Sequence, residues 1–175
     1  MMGRFILRVA IPAVVVAVLV IAGCSGGSPA PAGGQDAAGV SSSDSHRYDP
    51  VWVTPEATAE LVSLPVNTIE QDRMVHFWMN LDSGKQAFMA YEMDGTLYVR
   101  ASICPPCRSI GFSIEKGILV CDTCGTRFDA KTGAGVSGAC RNYPKEQAAY
   151  TITDGKVVAK VADLAEAHAA TVKAG

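Results

Sequence analysis

The chain has 175 residues and a formal net charge of −2, from 15 basic and 17 acidic side chains. This length suits one modest domain, and the balanced charge excludes the strongly basic surface that is typical of nucleic-acid-binding proteins. Six cysteines are too few for a secreted scaffold of this size that depends on disulfides.

Two arginines and an apolar run open the chain. Arg4 and Arg8 precede residues 9–22, which are apolar but fewer than a helix needs to cross a bilayer comfortably. A basic start followed by a short apolar run is typical of a secretory signal peptide. We therefore predict a signal peptide over residues 1–23.

The apolar run ends in Ile-Ala-Gly-Cys24, which resembles the lipobox of bacterial lipoproteins. The resemblance implies cleavage before Cys24 and acylation of its sulfur and its new amino group with fatty acids such as palmitate. Several buried acyl chains would anchor the protein stably in a membrane. We expect a lipoprotein of the cell envelope whose domain lies outside the cytoplasm. An uncleaved signal anchor is the alternative, and it leaves the domain on the same side.

A segment of small residues follows the acylation site. Residues 25–45 are dominated by Gly, Ser, Pro and Ala, a composition that buries too little apolar surface to fold. We predict that residues 24–48 form the acylated cysteine and a flexible tether, and that residues 49–175 form one globular domain.

The predicted domain is rich in short strands joined by turns. Residues 54–56 contain a proline that suits the first position of a helix, so a helical turn is expected there. Asp94-Gly95 and Asp154-Gly155 favour the two-residue turns of β-hairpins. The predicted strands cover residues 61–66, 73–80, 86–93, 96–103, 149–153 and 156–160.

An amphipathic helix is predicted at the end of the chain. Residues 161–173 repeat apolar side chains at helical spacing, and this face should pack on the domain. The predicted face consists of Val161, Leu164, Ala165, His168, Ala169 and Val172. We interpret His168 as a partly buried structural histidine rather than a ligand.

A second histidine lies among methionines and a tryptophan. His76 stands between Met74 and Trp78, and Met89 and Met93 lie on the next predicted strand. These side chains could form a copper site. Core packing on a sheet that is covered on both faces explains them with fewer assumptions.

Two pairs of cysteines form the most specific signal in the sequence. Cys104-Pro-Pro-Cys107 and Cys121-Asp-Thr-Cys124 are separated by thirteen residues, enough for a short hairpin that brings the four thiols together. Four thiolates around one centre suit zinc, a single iron or an iron–sulfur cluster. A redox-active disulfide between Cys104 and Cys107 is the alternative. Such pairs usually lie at a helix N-terminus, and the strand-rich surroundings disfavour this reading.

The residues around the cysteines predict an uneven site. Gly125 suits a knuckle turn with positive φ, which lets backbone N–H groups face sulfur, whereas Pro105 and Pro106 have no N–H to donate. Three arginines would offset part of the thiolate charge, unless they are solvated surface side chains: Arg108, Arg127 and Arg141.

Cys140 is an accessory candidate at the same site. It is the fifth cysteine of the predicted domain and lies in a loop. It could be a thiol beside the ligands, a replacement ligand, a redox partner or a plain buried cysteine. We expect Cys140→Ser to leave the metal stoichiometry unchanged.

The segment from Cys121 onward resembles the second cluster-binding box of Rieske proteins. After the cysteine pair, the shared positions are Phe128, Asp129, Thr132 and Gly133. Cys124 stands where a Rieske protein has a histidine, and the first pair lacks a histidine as well. The resemblance therefore does not extend to a Rieske centre proper.

A broader resemblance covers residues 61–144. It is to a bacterial family of membrane iron–sulfur-containing proteins, which includes the D component, FtrD, of a ferrous-iron transport system. The matching elements are Asp94-Gly95, Cys104-x-x-Cys107, Gly111-Phe112, Val120-Cys121-x-x-Cys124-Gly125, Phe128 and Gly138-x-Cys140-x-Asn142. The chain departs from the family pattern in having Ala139 in place of a glycine and in delaying a proline to Pro144.

Together these patterns predict a mainly β fold, a small antiparallel domain built of hairpins, with metal loops similar to Rieske and rubredoxin knuckles and a short C-terminal helix. The resemblance implies iron, as a cluster or a single ion, bound by Cys104, Cys107, Cys121 and Cys124. It also implies electron transfer or iron handling with membrane or extracytoplasmic redox or iron-transport partners. A structural zinc in an interaction module and a metal-free thiol–disulfide protein stay open. Because the sequence shows no catalytic triad or phosphate loop, an electron carrier or metal-binding protein is favoured over a catalyst.

Overall fold

The computed structural model describes residues 41–175. The predicted signal peptide over residues 1–23, the predicted acylation site Cys24 and most of the predicted tether lie outside these residues. Within the described range, no helix has both the length and the apolar character needed to cross a membrane.

Thirteen strands and two helices make up the described part of the chain. The first strands are short: β1 (Arg47–Tyr48), β2 (Val51–Trp52), β3 (Glu56–Ala57) and β4 (Leu61–Pro65). A short helix and three longer strands follow: α1 (Val66–Asp72), β5 (Met74–Leu81), β6 (Gly84–Met93) and β7 (Thr96–Ala101). The remaining elements are β8 (Phe112–Glu115), β9 (Ile118–Cys121), β10 (Arg127–Asp129), β11 (Gly135–Ser137), β12 (Tyr150–Thr153), β13 (Lys156–Lys160) and α2 (Val161–Lys173).

The strands form three sheets. The central sheet has the order β2-β5-β6-β7 and is antiparallel except for the pair β2–β5. The outer sheet has the order β12-β13-β4-β3. The cysteine sheet has the order β1-β8-β9-β10-β11 and includes Cys121. The prediction of a mainly β fold with antiparallel hairpins and a C-terminal helix is confirmed.

The central sheet is buried on both faces, so two cores lie on either side of it. Val75 and Phe77 of β5 belong to the first core, which is shared with the outer sheet and the helices. Met74 of the same strand belongs to the second core, which is shared with the cysteine sheet. Because successive side chains of a strand point to opposite faces, a strand covered on both sides reads as a continuous apolar run. Residues 87–93 of β6 are buried without interruption for this reason.

Local turn signals predicted the hairpins well and the start of the domain less well. Asp94-Gly95 joins β6 to β7, and Asp154-Gly155 joins β12 to β13, as expected. The helical turn expected at residues 54–56 is wrong, because Glu56 enters β3 and pairs with Ser63 of β4. The helix α1 was not predicted, since its seven residues are too few to show a helical period.

The folded part begins before the predicted boundary at residue 49. Arg47 and Tyr48 form β1 and pair with β8, and Tyr48 packs against the second core. Earlier still, the Ser42 N–H donates a hydrogen bond to the Asp94 carboxylate at 3.0 Å. The last residues of the predicted tether are therefore part of the domain.

The helix α2 is observed as predicted, but its buried face differs. Leu164, Ala167 and Thr171 face the protein, and the Glu146 N–H donates to Thr171 Oγ1 at 3.0 Å. This hydrogen bond draws a polar residue inward, which an apolar pattern does not anticipate. Val172 is 44% exposed and lines an open apolar groove of about 1070 Å³ with other members of the predicted face.

Candidate metal centre

The cysteine pairs lie in two loops at the same end of a hairpin. β7 leads to Cys104, whose N–H donates to the Ser109 carbonyl oxygen at 2.7 Å. The hairpin β8–β9 then returns the chain to Cys121 at the end of β9. Cys124 follows in the next turn. This is the short hairpin that the spacing of the cysteines predicts.

The four thiols are close enough to share one metal ion. Their Sγ atoms all lie within 4.8 Å of one another, with 3.7 Å between Cys107 and Cys121 and 4.0 Å between Cys104 and Cys124. A tetrahedral ion with metal–sulfur bonds of about 2.3 Å would place its sulfurs roughly 3.8 Å apart. The donor set and its spacing therefore fit one tetrahedral ion with small movements of the side chains.

Each loop buries its first cysteine and turns its second outward. Cys104 and Cys121 are 0% and 1% exposed and belong to the second core. Cys107 is half-buried and Cys124 is exposed. The inner pair thus fastens the site to the protein, and the outer pair forms the edge that another molecule can approach.

Thr126 is a buried residue at the site that the sequence did not reveal. Its Oγ1 accepts the Cys140 N–H and lies 3.2 Å from both that nitrogen and Cys124 Sγ. Because the oxygen already accepts one hydrogen bond, its own proton is available to a Cys124 thiolate. Burial raises the pKa of the Cys124 thiol, but hydrogen bonds from the hydroxyl and backbone of Thr126 outweigh it, and the pKa is lowered. A threonine that follows a cysteine pair in a sequence does not by itself indicate this role.

The first loop stabilises its thiolates less. Burial raises the pKa of the Cys104 thiol. Burial also raises the pKa of the Cys107 thiol, although a backbone hydrogen bond from Ser109 opposes it. This difference between the loops agrees with the missing N–H groups of Pro105 and Pro106.

The second loop has a knuckle turn at Gly125. Its φ is 67°, in the left-handed region that the sequence predicts. Its N–H donates to the Cys121 carbonyl oxygen at 2.9 Å rather than to sulfur. The backbone group that acts on Cys124 belongs to the next residue, Thr126.

Cys140 is the fifth thiol of this region. It is 3% exposed, and its Sγ lies 3.7 Å from Cys124 Sγ. The group of four thiols within 4.8 Å does not include it. The structure therefore places Cys140 beside the four thiols, in contact with Cys124 Sγ, rather than among them.

A buried lysine, rather than the predicted arginines, places positive charge inside the core at this site. Lys145 is 0% exposed, and its Nζ donates to the Ile103 carbonyl oxygen at 2.7 Å. The same Nζ lies 4.5 Å from the ring centroid of Phe128 and 5.4 Å from that of Phe112. The predicted arginines lie further out, with one half-buried and two exposed: Arg127, Arg108 and Arg141.

The charge of Lys145 is coupled to the thiols. Burial lowers its pKa to about 8, and attraction to the nearby cysteines opposes that change. The cysteines that act on it are Cys104, Cys121, Cys140 and Cys107. No sequence pattern indicates this role, because lysine is almost never fully buried.

Arg100 holds the loops around the site to the central sheet. It is 2% exposed, and its guanidinium donates at 2.6 Å to the carbonyl oxygens of both Lys145 and Lys131. Its Nε donates to the Tyr91 hydroxyl at 2.9 Å, and that hydroxyl donates to the Ala130 carbonyl oxygen at 2.6 Å. Two loop segments are therefore fixed to β6 and β7 by one buried network.

Neither of the two histidines considered above belongs to the group of four thiols. His76 is 0% exposed, and neither of its ring nitrogens has a hydrogen-bond partner among the described residues. Burial lowers its pKa to about 4. Trp52 covers it edge-on at 5.1 Å and stacks on Trp78 at 5.2 Å between ring centroids. His168 is half-buried with its ring 6.4 Å from that of Phe88, and burial lowers its pKa.

Fold and site together define a small β protein with a four-thiol site that can hold a metal ion. Residues 69–170, more than half of the chain, match the family described as membrane iron-sulfur containing protein FtrD-like. The chain belongs to this family, and the resemblance found in its sequence is confirmed. No curated protein matches it.

Solved structures that are similar to the chain include two ferredoxins. The Sphingomonas yanoikuyae B1 ferredoxin is 27% identical, with a TM-score of 0.38 over 43% of this chain and 74% of that chain. The ferredoxin of carbazole 1,9a-dioxygenase from Nocardioides aromaticivorans IC177 is 14% identical, with a TM-score of 0.45 over 61% of this chain and 97% of that chain. At these TM-scores neither likeness defines the fold or the function.

Proposed function

We propose that the protein transfers electrons in the cell envelope through iron bound by Cys104, Cys107, Cys121 and Cys124. The observation that carries the proposal is the set of four Sγ atoms within 4.8 Å of one another. Membership of a family described as iron-sulfur containing supports iron as the metal. Iron would supply a one-electron change, with thiolate ligation favouring a low potential.

The four cysteines have different parts in this proposal. Cys104 and Cys121 hold the metal from inside the second core, where their surroundings are close-packed. Cys107 and Cys124 lie toward the surface and give the shortest path between the metal and a partner. The lowered pKa of Cys124 favours the thiolate that metal binding requires.

The space between the thiols and the family description favour different forms of the iron. A cluster contains two or more irons and their bridging sulfides, so it needs more room than one ion. The 4.8 Å limit on the Sγ separations favours a single iron, whereas the family description favours a cluster. Zinc would fit the same spacing but has no redox chemistry.

Metal and sulfide analysis of protein purified from its native envelope tests the proposal. We expect iron, visible absorption that changes on reduction, and loss of iron when any one of the four cysteines is changed to serine. Cys140→Ser is the matched control and should keep the iron. Acid-labile sulfide separates a cluster from a single iron. A colourless protein with zinc would instead support the interaction module, and disulfides without metal would support the thiol–disulfide protein.

We also propose that the protein is anchored to a membrane through acylated Cys24. The lipobox-like sequence and the word membrane in the family description support this. Mass spectrometry of the N-terminal peptide should find fatty acids on Cys24, and Cys24→Ser should release the protein from the membrane fraction. An unacylated Cys24 in the native protein would contradict the proposal.

A further inference from the structure

We propose that Lys145 is a positioning residue of the metal site, whose buried positive charge strengthens metal binding by the four thiols and raises the reduction potential of bound iron. The first effect follows from the site itself, and the second rests on the proposed function.

A lysine in this position needs a negative partner. Lys145 is 0% exposed, and burying an ammonium group costs several kcal/mol unless an opposite charge is near. The ion pairs found within residues 41–175 join other side chains. The Ile103 carbonyl oxygen and the two aromatic faces offer only partial negative charge. The thiolates are the formal negative charges that this part of the core can supply.

The ammonium group lies on the inner side of the site. The carbonyl that it contacts belongs to Ile103, the residue directly before Cys104. One of the rings beside it is that of Phe112, which pairs with Cys121 across the hairpin β8–β9. Lys145 is therefore close to both inner cysteines, whereas Cys107 is half-buried and Cys124 is exposed. Solvent can screen the thiolate charge on the outer side of the site, and Lys145 offsets that charge on the inner side.

Two hydrogen bonds fix the backbone of Lys145 and so limit the movement of its side chain. Its N–H donates to the Gly133 carbonyl oxygen at 2.8 Å, and its own carbonyl accepts from Arg100 at 2.6 Å. A charge that is fixed in advance does not have to reorganise when the charge of the site changes.

The direction of both effects follows from Coulomb's law. Four thiolates around a divalent ion carry a net negative charge, so a nearby cation favours thiolate formation and metal binding. One-electron reduction makes the site more negative still. The same cation therefore stabilises the reduced state more than the oxidised state, which raises the potential.

Two neutral variants separate charge from packing. Lys145→Met keeps the length of the side chain and removes both the charge and the hydrogen bond to Ile103. Lys145→Gln removes the charge and keeps a donor. Lys160→Met is the matched control, because it removes one positive charge from an exposed lysine in β13. Far-UV circular dichroism checks that each variant is folded.

The first measurement is titration of the reduced, metal-free full chain with Co²⁺, followed by thiolate-to-cobalt absorption. We expect both Lys145 variants to bind Co²⁺ about tenfold more weakly, which corresponds to about 1.4 kcal/mol, and Lys160→Met to bind as the wild type does. Unchanged affinity in folded Lys145→Gln would overturn the inference. Weaker Co²⁺ binding in Lys145→Met alone would also overturn it, because that result would assign the effect to the lost hydrogen bond with Ile103.

The second measurement is the reduction potential of the iron-loaded protein, which should fall in both Lys145 variants and stay constant in Lys160→Met. An unchanged potential in an iron protein would overturn the inference and leave the proposed function standing. A native protein without iron would end the proposed function, whereas the Co²⁺ titration would still support the role of Lys145 in metal binding.

Discussion

Gly133 is the position at which one added methyl group tests how firmly the loop of Lys145 is held. Its φ is 77°. A Cβ at this position would lie 2.6 Å from Arg100 Nη1 and still closer to the Lys145 carbonyl oxygen. Gly133→Ala therefore forces the two loop segments apart. Gly155→Ala is the matched control, because Gly155 has a φ of 70° and no atom within 4 Å of the same added carbon.

The expected destabilisation has two parts. A left-handed φ costs an alanine about 1–2 kcal/mol, and this part is common to both glycines. Displacement of the Lys145 carbonyl also weakens its hydrogen bond with Arg100, and a hydrogen bond to a charged group contributes about 1.5–3 kcal/mol. We expect Gly133→Ala to lower the free energy of unfolding by about 2.5–5 kcal/mol, against about 1–2 kcal/mol for Gly155→Ala.

Urea unfolding of the metal-loaded proteins, followed by circular dichroism, measures both values. Because the loop carries Lys145, Gly133→Ala should also weaken Co²⁺ binding, and Gly155→Ala should not. If the two variants differed by less than about 0.5 kcal/mol, the contacts between Gly133, Arg100 and Lys145 would not hold the loop as described.

Two further predictions concern titrating groups. The pKa of His76 is lowered from 6.5 to about 4 in the folded protein. As pH falls, His76 is therefore protonated in the unfolded chain before it is protonated in the folded one. The stability that neutral His76 contributes is present above about pH 6.5 and is lost toward pH 4. Between pH 7 and pH 5 the free energy of unfolding should fall by about 2 kcal/mol because of His76. Urea unfolding of His76→Phe should not show this fall. Equal pH dependence in the two proteins would refute the role of His76. Thr126→Val should raise the pKa of the Cys124 thiol and slow its alkylation in the metal-free protein, whereas Thr126→Ser should alkylate at the wild-type rate. Equal rates in all three proteins would contradict the role of the hydroxyl.

Local signals account for what the sequence predicted correctly. The cysteine pairs meet through a hairpin of a few residues, so their spacing alone was sufficient. The dipeptides Asp94-Gly95 and Asp154-Gly155 likewise determine their own turns. The position of Lys145 does not depend on a local signal, because the Ile103 carbonyl that it contacts is 42 residues away in the sequence. A contact at that separation depends on how sheets pack, and no local pattern reports it.

The errors at the two helices have different origins. Apolar spacing predicted α2 but not its orientation, because the Thr171 hydroxyl is drawn inward by Glu146. A hydrogen bond of this kind outweighs apolar periodicity on a helix in which five of the thirteen residues are alanine. The helix α1 follows Pro65 directly and buries only Ile69. One buried residue is too little to produce a periodic signal.

The strand β7 separates the start of the folded domain from the thiols. Ser42 is bonded at the turn where β7 begins, and the strand leads to Cys104 at its other end. Six extended residues span about 20 Å, so the point at which the chain enters the domain and the thiols occupy opposite poles. If the chain is anchored through Cys24 as proposed, the segment that leads to the anchor enters the domain away from the thiols and leaves them open to a partner.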